Sequence, residues 1–135
     1  GTLKNWQVVE TMEITMFSRW KWGIQDLYVD SSGALYSCGQ GGVWKREQDS
    51  WNHILKLNYG INEVFSLDDK YMFALGDYKL VYFYNGTNWE NISDLFKIKD
   101  PTTSFEVGWT DGYETFIVGY GELNGNLGTY IFHGK

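Results

Sequence analysis

The sequence contains little proline, little cysteine and little positive charge, and it has no long apolar run. One proline and 16 glycines in 135 residues, with 19% aromatic residues, are typical of short strands joined by turns. The single cysteine, Cys38, cannot form an internal disulfide. No run of about 18 apolar residues occurs, so no membrane-spanning segment is predicted. Eleven scattered basic residues and a net charge of −6 argue against nucleic-acid binding, which needs clustered Lys and Arg.

The length of 135 residues suits one domain with its own apolar core, so residues 1–135 are predicted to form a single domain. The chain begins at Gly1 rather than at a methionine, which is compatible with the removal of a leader segment. An extracellular or cell-envelope location is favoured.

Three copies of one pattern, each of roughly forty residues, follow one another along the chain. Repeat one (24–54) and repeat two (61–92) agree position for position, and Gly39 of the first is matched by Gly76 of the second, 37 residues later. Repeat three (105–135) has its equivalent, Gly119, 43 residues further on. It lacks a final tryptophan-containing strand, and the counterpart of that strand is found at residues 5–9.

Each repeat contains strand signals separated by residues that favour tight turns. The segments Asp30 to Gly33, Asn85-Gly86 and Asp111-Gly112 are turn sequences, because Gly, Asn and Asp tolerate positive φ. A repeated four-stranded antiparallel unit of about 40 residues is typical of a β-propeller blade. A β-sandwich or an up-and-down barrel is the alternative, but neither requires the same glycine and aromatic residue in every repeat. The sequence therefore predicts an all-β protein made of propeller blades, the third completed by the N-terminal strand.

The glycine-rich end of the second strand, an aromatic residue, six further residues and a tryptophan together resemble the kelch repeat and related bacterial propeller repeats. Trp44 and Trp51 carry this pattern in repeat one, and Tyr82 and Trp89 carry it in repeat two. The Gly-Gly doublet of kelch repeats is approached by Gly41-Gly42. The segment YNGTNW is also loosely similar to the Asp-box of sialidase-type propellers, although it lacks the aspartate of that box. The resemblance implies the propeller fold and no particular function, since propellers include enzymes, lectins and scaffolds.

Few residues are candidates for a catalytic role, and several are predicted to have a structural role. The repeated residues predicted to be structural are Trp6, Trp51 and Trp89 on the outer strand and Gly39, Gly76 and Gly119 at the end of the second strand. Cys38 occupies an apolar position of the repeat and is predicted to be a buried small hydrophobe rather than a nucleophile. No Ser/His/Asp set and no metal-ligand spacing is found, so no catalytic residue, metal or cofactor is predicted.

The long connections, which differ between the repeats, are expected to share one face and to carry any binding site. They are 10–23, 55–60, 76–79, 93–104 and 119–128. The candidate ligand-binding residues on them are Arg19, Trp20, Trp22, Tyr59, Asp77, Tyr78, Tyr120, Glu122 and Asn124. Aromatic rings with carboxylates and amides suit sugar rings and protein partners equally. That Trp20 and Trp22 only pack between repeats is the alternative.

The resulting hypothesis is a non-catalytic binding module that recognises a glycan or a protein. The alternative is a carbohydrate-active enzyme that uses paired carboxylates at the propeller mouth. Three blades cannot close a ring, and an open sheet edge invites another strand. We therefore expect either a homodimer with six blades or a piece of a longer propeller.

Overall fold

The computed structural model describes residue 7, residues 23–66 and residues 70–134. The strands in these ranges are β1 (Ile24–Val29), β2 (Leu35–Glu47), β3 (Ser50–Ser66), β4 (Tyr71–Gly76), β5 (Val81–Asn85), β6 (Trp89–Asn91), β7 (Ser104–Thr110), β8 (Thr115–Leu123) and β9 (Asn126–Gly134). The only helical segment of the described ranges is a 3₁₀ turn at Ser93–Phe96. The predicted strand at 5–9, apart from Gln7, lies outside the described residues, as do Arg19, Trp20 and Trp22.

All strand pairings in the described residues are antiparallel. Strands β1 to β6 form one sheet in chain order, and β7 to β9 form a second. The prediction of an all-β, antiparallel protein is confirmed.

Strand β2 folds back on itself and supplies two strands of repeat one. A straight strand would separate Tyr36 from Lys45 by about 30 Å. The Lys45 Nζ atom nevertheless lies 5.8 Å from the centre of the Tyr36 ring. Gly41 and Gly42 allow the reversal, since their φ angles are 98° and 122°, values that glycine adopts without strain. With the first part of β3, repeat one therefore contains four strands, as repeat two does.

The three repeats share one pairing register, including one irregularity. The repeated glycine pairs with Ile24 at Gly39, with Ile61 at Gly76 and with Phe105 at Gly119. In each repeat the register then shifts by one residue on the first strand. The extra residues are Gln25, Asn62 and Glu106. A β-bulge at the same place in all three copies shows that the sequence repeats are also structural repeats.

The repeated glycines are required because a side chain would strike the neighbouring backbone. A Cβ atom added to Gly39 would lie 2.1 Å from the carbonyl oxygen of Gly23. A Cβ added to Gly76 would lie 2.5 Å from the carbonyl oxygen of Gly60, and one added to Gly119 would lie 2.8 Å from that of Ser104. Each of these carbonyls belongs to the residue immediately before the one that pairs with the glycine. The glycine therefore lets the second strand approach the start of the first strand closely.

Three of the predicted turns are confirmed, and each is fixed by an Asp or Asn side chain. The Oδ1 atom of Asp30 accepts hydrogen bonds from the N–H groups of Ser32 and Ala34. In the same way, Asn85 Oδ1 accepts from the N–H groups of Thr87 and Asn88. Asp111 Oδ1 accepts from those of Tyr113 and Glu114. The glycines at 33, 86 and 112 have φ angles of 85°, 92° and 94°.

Two predicted loops are wrong. Residues 55–60 belong to β3, which runs without a break from the outer strand of repeat one into the first strand of repeat two. Residues 119–128 form the end of the β8–β9 hairpin, in which pairing continues to Leu123 and Asn126. Asn124 and Gly125 make the turn with φ angles of 52° and 81°, as the two-residue hairpin turns of Asn-Gly require.

The sheet of repeat two is packed between repeats one and three. Successive residues on a strand point to opposite faces, and the core is divided accordingly. Val64 and Ala74 join the cluster shared with repeat one, whereas their neighbours Phe65 and Leu75 join the cluster shared with repeat three. Cys38 is completely buried in the first cluster, so the prediction of a buried small hydrophobe is confirmed.

Candidate functional site

Tyr59 and Tyr78 form an exposed aromatic pair where repeat one passes into repeat two. Tyr59 lies on β3 and Tyr78 on the β4–β5 connection, and their ring centroids are 5.3 Å apart with the planes tilted by 54°. The two residues are 48% and 58% exposed. Tyr78 also has a φ of 54°, an uncommon value for a residue with a large side chain. Two neighbouring rings are thus presented to solvent on a constrained connection.

Asp77, which precedes this pair, belongs to a polar cluster that reaches repeat three. Its Oδ1 atom accepts hydrogen bonds from Asn62 Nδ2 at 3.1 Å and from Ser104 Oγ at 2.8 Å. The Asn62 amide also donates to the Phe105 carbonyl at 2.9 Å. Since Asn62 is the bulged residue of repeat two, the bulge directs its amide towards repeat three. The cluster fixes Asp77, which immediately precedes Tyr78 in the chain.

Glu122 and Asn124 lie at a second location, which they share with Lys97, Lys99 and Asp100. These residues line a cavity of about 680 Å³. The Glu122 N–H donates to Asp100 Oδ2 at 2.7 Å, and the Thr102 N–H donates to Asp100 Oδ1 at 2.8 Å. These hydrogen bonds, the first above all, lower the pKa of Asp100. Asn124 is explained by the hairpin turn that it forms.

Tyr120 does not line this cavity, but strand alternation places it on the same face of β8 as Glu122, two residues away. It is on β8 between the buried residues Gly119 and Gly121, it is 51% exposed, and by strand alternation it shares a face with Val118. That face points away from repeat two. The six described candidates therefore lie in two regions, one around Tyr59, Asp77 and Tyr78 and the other at the end of the β8–β9 hairpin, and the first is the more compact.

Sequence reasoning missed Glu63, a half-buried carboxylate where the first strands of the three repeats meet. Glu63 accepts a hydrogen bond from the N–H of Gly108 in repeat three. Burial raises the pKa of Glu63 to about 7, and the neighbouring carboxylate of Asp26 in repeat one also raises it. The signal was present, because Asp26 and Glu63 occupy the same position of the repeat. Both line a cleft of about 360 Å³ that also includes Trp109 and Thr110.

A cleft of about 500 Å³ separates the outer parts of repeats one and two. We call it the polar cleft. The residues of repeat one that line it include Tyr36, Lys45, Glu47, Asn52, His53 and Ile54. Those of repeat two include Met72, Tyr84, Asn88 and Trp89. Trp89 is half-buried and packs against the first core cluster, and its ring centroid lies 5.3 Å from that of Tyr84. Trp51 is half-buried too, with the Arg46 guanidinium 5.7 Å from its ring.

A second cleft, the apolar groove, lies at the equivalent place between repeats two and three. It has a volume of about 440 Å³. Its lining includes Phe73, Phe83, Ile92, Leu95, Phe96 and Tyr113. Leu95 is 73% exposed and Tyr113 is 88% exposed, so this groove presents apolar surface to solvent.

The described part of the chain contains no group of three or more His, Cys, Asp or Glu side chains arranged to hold a metal ion. It also contains no helix with the length and apolar character needed to cross a membrane. No protein-family model and no curated protein sequence matches the chain. The function is therefore inferred from the geometry of the sites.

Proposed function

We propose that this chain is a non-catalytic binding module of the β-propeller type that recognises a glycan or a protein through the surface around Tyr59 and Tyr78. The observation that supports this function is the exposed, tilted tyrosine pair on a constrained connection. Rings held in this way offer contact area while losing little side-chain entropy on binding. The C–H face of a sugar ring stacks on such surfaces, which favours a glycan.

Binding to an immobilised oligosaccharide panel, with product formation followed by mass spectrometry, tests this function. We expect binding without turnover, and we expect Tyr59→Ala and Tyr78→Ala each to weaken it. Tyr113→Ala is the matched control, since Tyr113 is 88% exposed in a turn of repeat three. Retention of full affinity by both variants would exclude the tyrosine pair as the site.

A carbohydrate-active enzyme is the second candidate, favoured by Glu63. A carboxyl group with a pKa of about 7 is able to act as a general acid near neutral pH, and Asp26 provides a second carboxylate beside it. This hypothesis predicts product formation that Glu63→Gln abolishes while binding is retained. Absence of product from every member of the panel would favour the binding module.

Three observations support the arrangement of the repeats as propeller blades. The repeats share one register and one bulge, their sheets are packed face to face, and their first strands lie side by side. Tyr28 Oη of repeat one lies 2.7 Å from Ser66 Oγ of repeat two, within hydrogen-bonding distance. A side chain on Gly108 would collide with the Phe65 ring, 1.9 Å from its Cβ position. Adjacent first strands are what blades around a common axis require.

The outward faces of repeats one and three support association with a second copy. Val107, Trp109 and Ile131 occupy the positions at which Glu63, Phe65 and Val81 of repeat two meet repeat three. They are 52%, 53% and 70% exposed. On repeat one, Leu27 and Val29 are 60% and 59% exposed. Each terminal face thus carries apolar residues at positions that elsewhere form an interface between repeats.

We infer that the face of repeat three packs on repeat one of a second chain, and that two copies form a ring of six blades. Residues 5–9 would then add the fourth strand to β9, whose outer edge has no partner among the described strands. In a longer propeller, neighbouring repeats would cover the same faces.

Light scattering and thermal melting at several protein concentrations test the dimer. We expect a dimer at micromolar concentration and a melting temperature that rises with concentration, because folding and association are coupled. Ile131→Lys should weaken association, whereas Ser31→Lys, in an exposed turn of repeat one, should not. A compact monomer with a concentration-independent melting temperature would contradict the dimer.

A further inference from the structure

The polar cleft and the apolar groove occupy the same position in successive repeats but differ in character. Tyr36 corresponds to Phe73, Lys45 to Phe83, and Ile54 to Ile92 in the shared register. The groove is lined by phenylalanine and aliphatic residues, whereas the cleft has a polar wall. Packing between repeats explains the groove, because apolar side chains also fill the rest of that interface. Packing alone does not explain four polar side chains in the cleft.

Each polar side chain of the cleft is held in place by a contact with a neighbouring ring or by a hydrogen bond. Lys45 lies over the Tyr36 ring, with Nζ 5.8 Å from the ring centre. Asn52 donates a hydrogen bond from Nδ2 to Glu47 Oε2 at 3.4 Å. His53 stacks on Trp44 with ring centroids 4.3 Å apart and planes 10° apart. Its Nε2 atom lies 2.9 Å from the Gly41 carbonyl oxygen. These contacts reduce the conformational freedom that a ligand would otherwise have to remove.

The opposite wall is aromatic. Tyr84 and Trp89 lie with ring centroids 5.3 Å apart and planes tilted by 43°, and both rings are half-buried. Buried Met72 completes this side of the cleft. An apolar ring surface facing a row of amide, carboxylate and ammonium groups suits a ligand with one C–H face and an edge of hydroxyls.

Charge and size narrow the ligand class further. The positive charge of Lys45 and the negative charge of Glu47 cancel, so this wall does not favour a strongly charged ligand. The volume of about 500 Å³ lies in the range of small-molecule sites, roughly 300–1,000 Å³. We propose that the polar cleft binds the pyranose ring of a neutral sugar, stacked on Trp89 and hydrogen-bonded to Glu47 and Asn52. This site is separate from the Tyr59–Tyr78 surface.

The test uses the whole chain and four probes, the methyl glycosides of glucose, galactose, mannose and N-acetylglucosamine. Saturation-transfer NMR identifies a bound sugar, and calorimetry measures its affinity. We expect at least one glycoside to bind, and Asn52→Ala to weaken it about tenfold, the loss that one hydrogen bond to the ligand corresponds to. Asn58→Ala is the control, because Asn58 is also exposed on β3 but is not among the residues of the cleft.

Two further variants separate a role in binding from a role in folding. Glu47→Gln changes an exposed side chain and should weaken binding while leaving the melting temperature unchanged, and Glu90→Gln on β6 is its control. The proposal is overturned if none of the four glycosides binds, or if Asn52→Ala and Glu47→Gln both bind normally. It is also overturned if Tyr59→Ala or Tyr78→Ala abolishes glycoside binding, because the sugar would then occupy the surface around Tyr59 and Tyr78 rather than the polar cleft.

Discussion

Replacing Glu63 by glutamine should make the protein more stable at pH 8 and remove part of its pH dependence. Glutamine has nearly the same shape, and its amide oxygen can still accept the hydrogen bond from the Gly108 N–H. It cannot ionise. The substitution therefore removes the cost of carrying a charge in the place where the first strands meet, while it keeps the contact with repeat three.

The sign and size of the effect follow from the pKa of Glu63. The value rises from 4.5 to about 7 on folding. Between these two pH values the native state holds the proton and the unfolded state has lost it, so stability falls as pH rises through this window. A pKa shift of this size corresponds to about 3 kcal/mol before solvent screening is considered. Because Glu63 is only half-buried, solvent screening reduces this to about 1–2 kcal/mol.

Urea unfolding at pH 4, 5, 6, 7 and 8, at one fixed protein concentration, measures the effect. The variant and the natural protein should have nearly equal unfolding free energies at pH 4, and the variant should be more stable by about 1–2 kcal/mol at pH 8. Titrating groups that do not interact with Glu63 contribute equally to both proteins and cancel in the difference. A difference that stays constant from pH 4 to pH 8 would refute the reasoning.

Three further predictions concern packing. Gly108→Ala should destabilise the protein by about 1–3 kcal/mol in urea unfolding, because its Cβ would collide with the Phe65 ring. Gly134→Ala, whose Cβ would meet nothing closer than 3.9 Å, should change stability little, and equal effects would contradict this reasoning. Trp89→Ala should cost about 2–3 kcal/mol, less than a fully buried tryptophan, and an unchanged melting temperature would show that Trp89 is not structural. Cys38 should not react with a thiol reagent at pH 8 until the protein unfolds, since burial raises its pKa, and rapid native labelling would contradict its burial.

The repeat pattern could be found from sequence because it depends on local chemistry. Asp30, Asn85 and Asp111 each determine a turn through hydrogen bonds to residues two to four positions away, so the turns were predictable. The period of Gly39 and Gly76 also indicated the repeat. The sequence could not show the reason for these glycines, because the carbonyl that excludes a side chain belongs to another strand.

The errors arose where pairing across strands decides the structure. Glycines around Asn124 suggested a long loop, but the Asn-Gly pair makes a tight turn and the flanking residues remain in the β8–β9 ladder. The segment 55–60, which contains Tyr59, is read from the sequence as the connection between two repeats, but it belongs to the continuous strand β3. Glu63 was missed because its environment comes from Asp26 and Gly108, which lie in two other repeats. A carboxylate aligned with another carboxylate in the repeat was the available signal.

The continuity of β3 has a consequence for how the molecule opens. One uninterrupted strand is the outer strand of repeat one and the first strand of repeat two, so neither repeat can separate without breaking the ladder of the other. Amide protons of repeats one and two should therefore exchange with solvent as one cooperative unit. Repeat three follows a connection that contains only a short 3₁₀ turn and forms its own sheet. Its amides should exchange by a separate opening of lower free energy. The segment at residues 92–104, which joins repeat two to repeat three, is then the boundary between the two units that open separately.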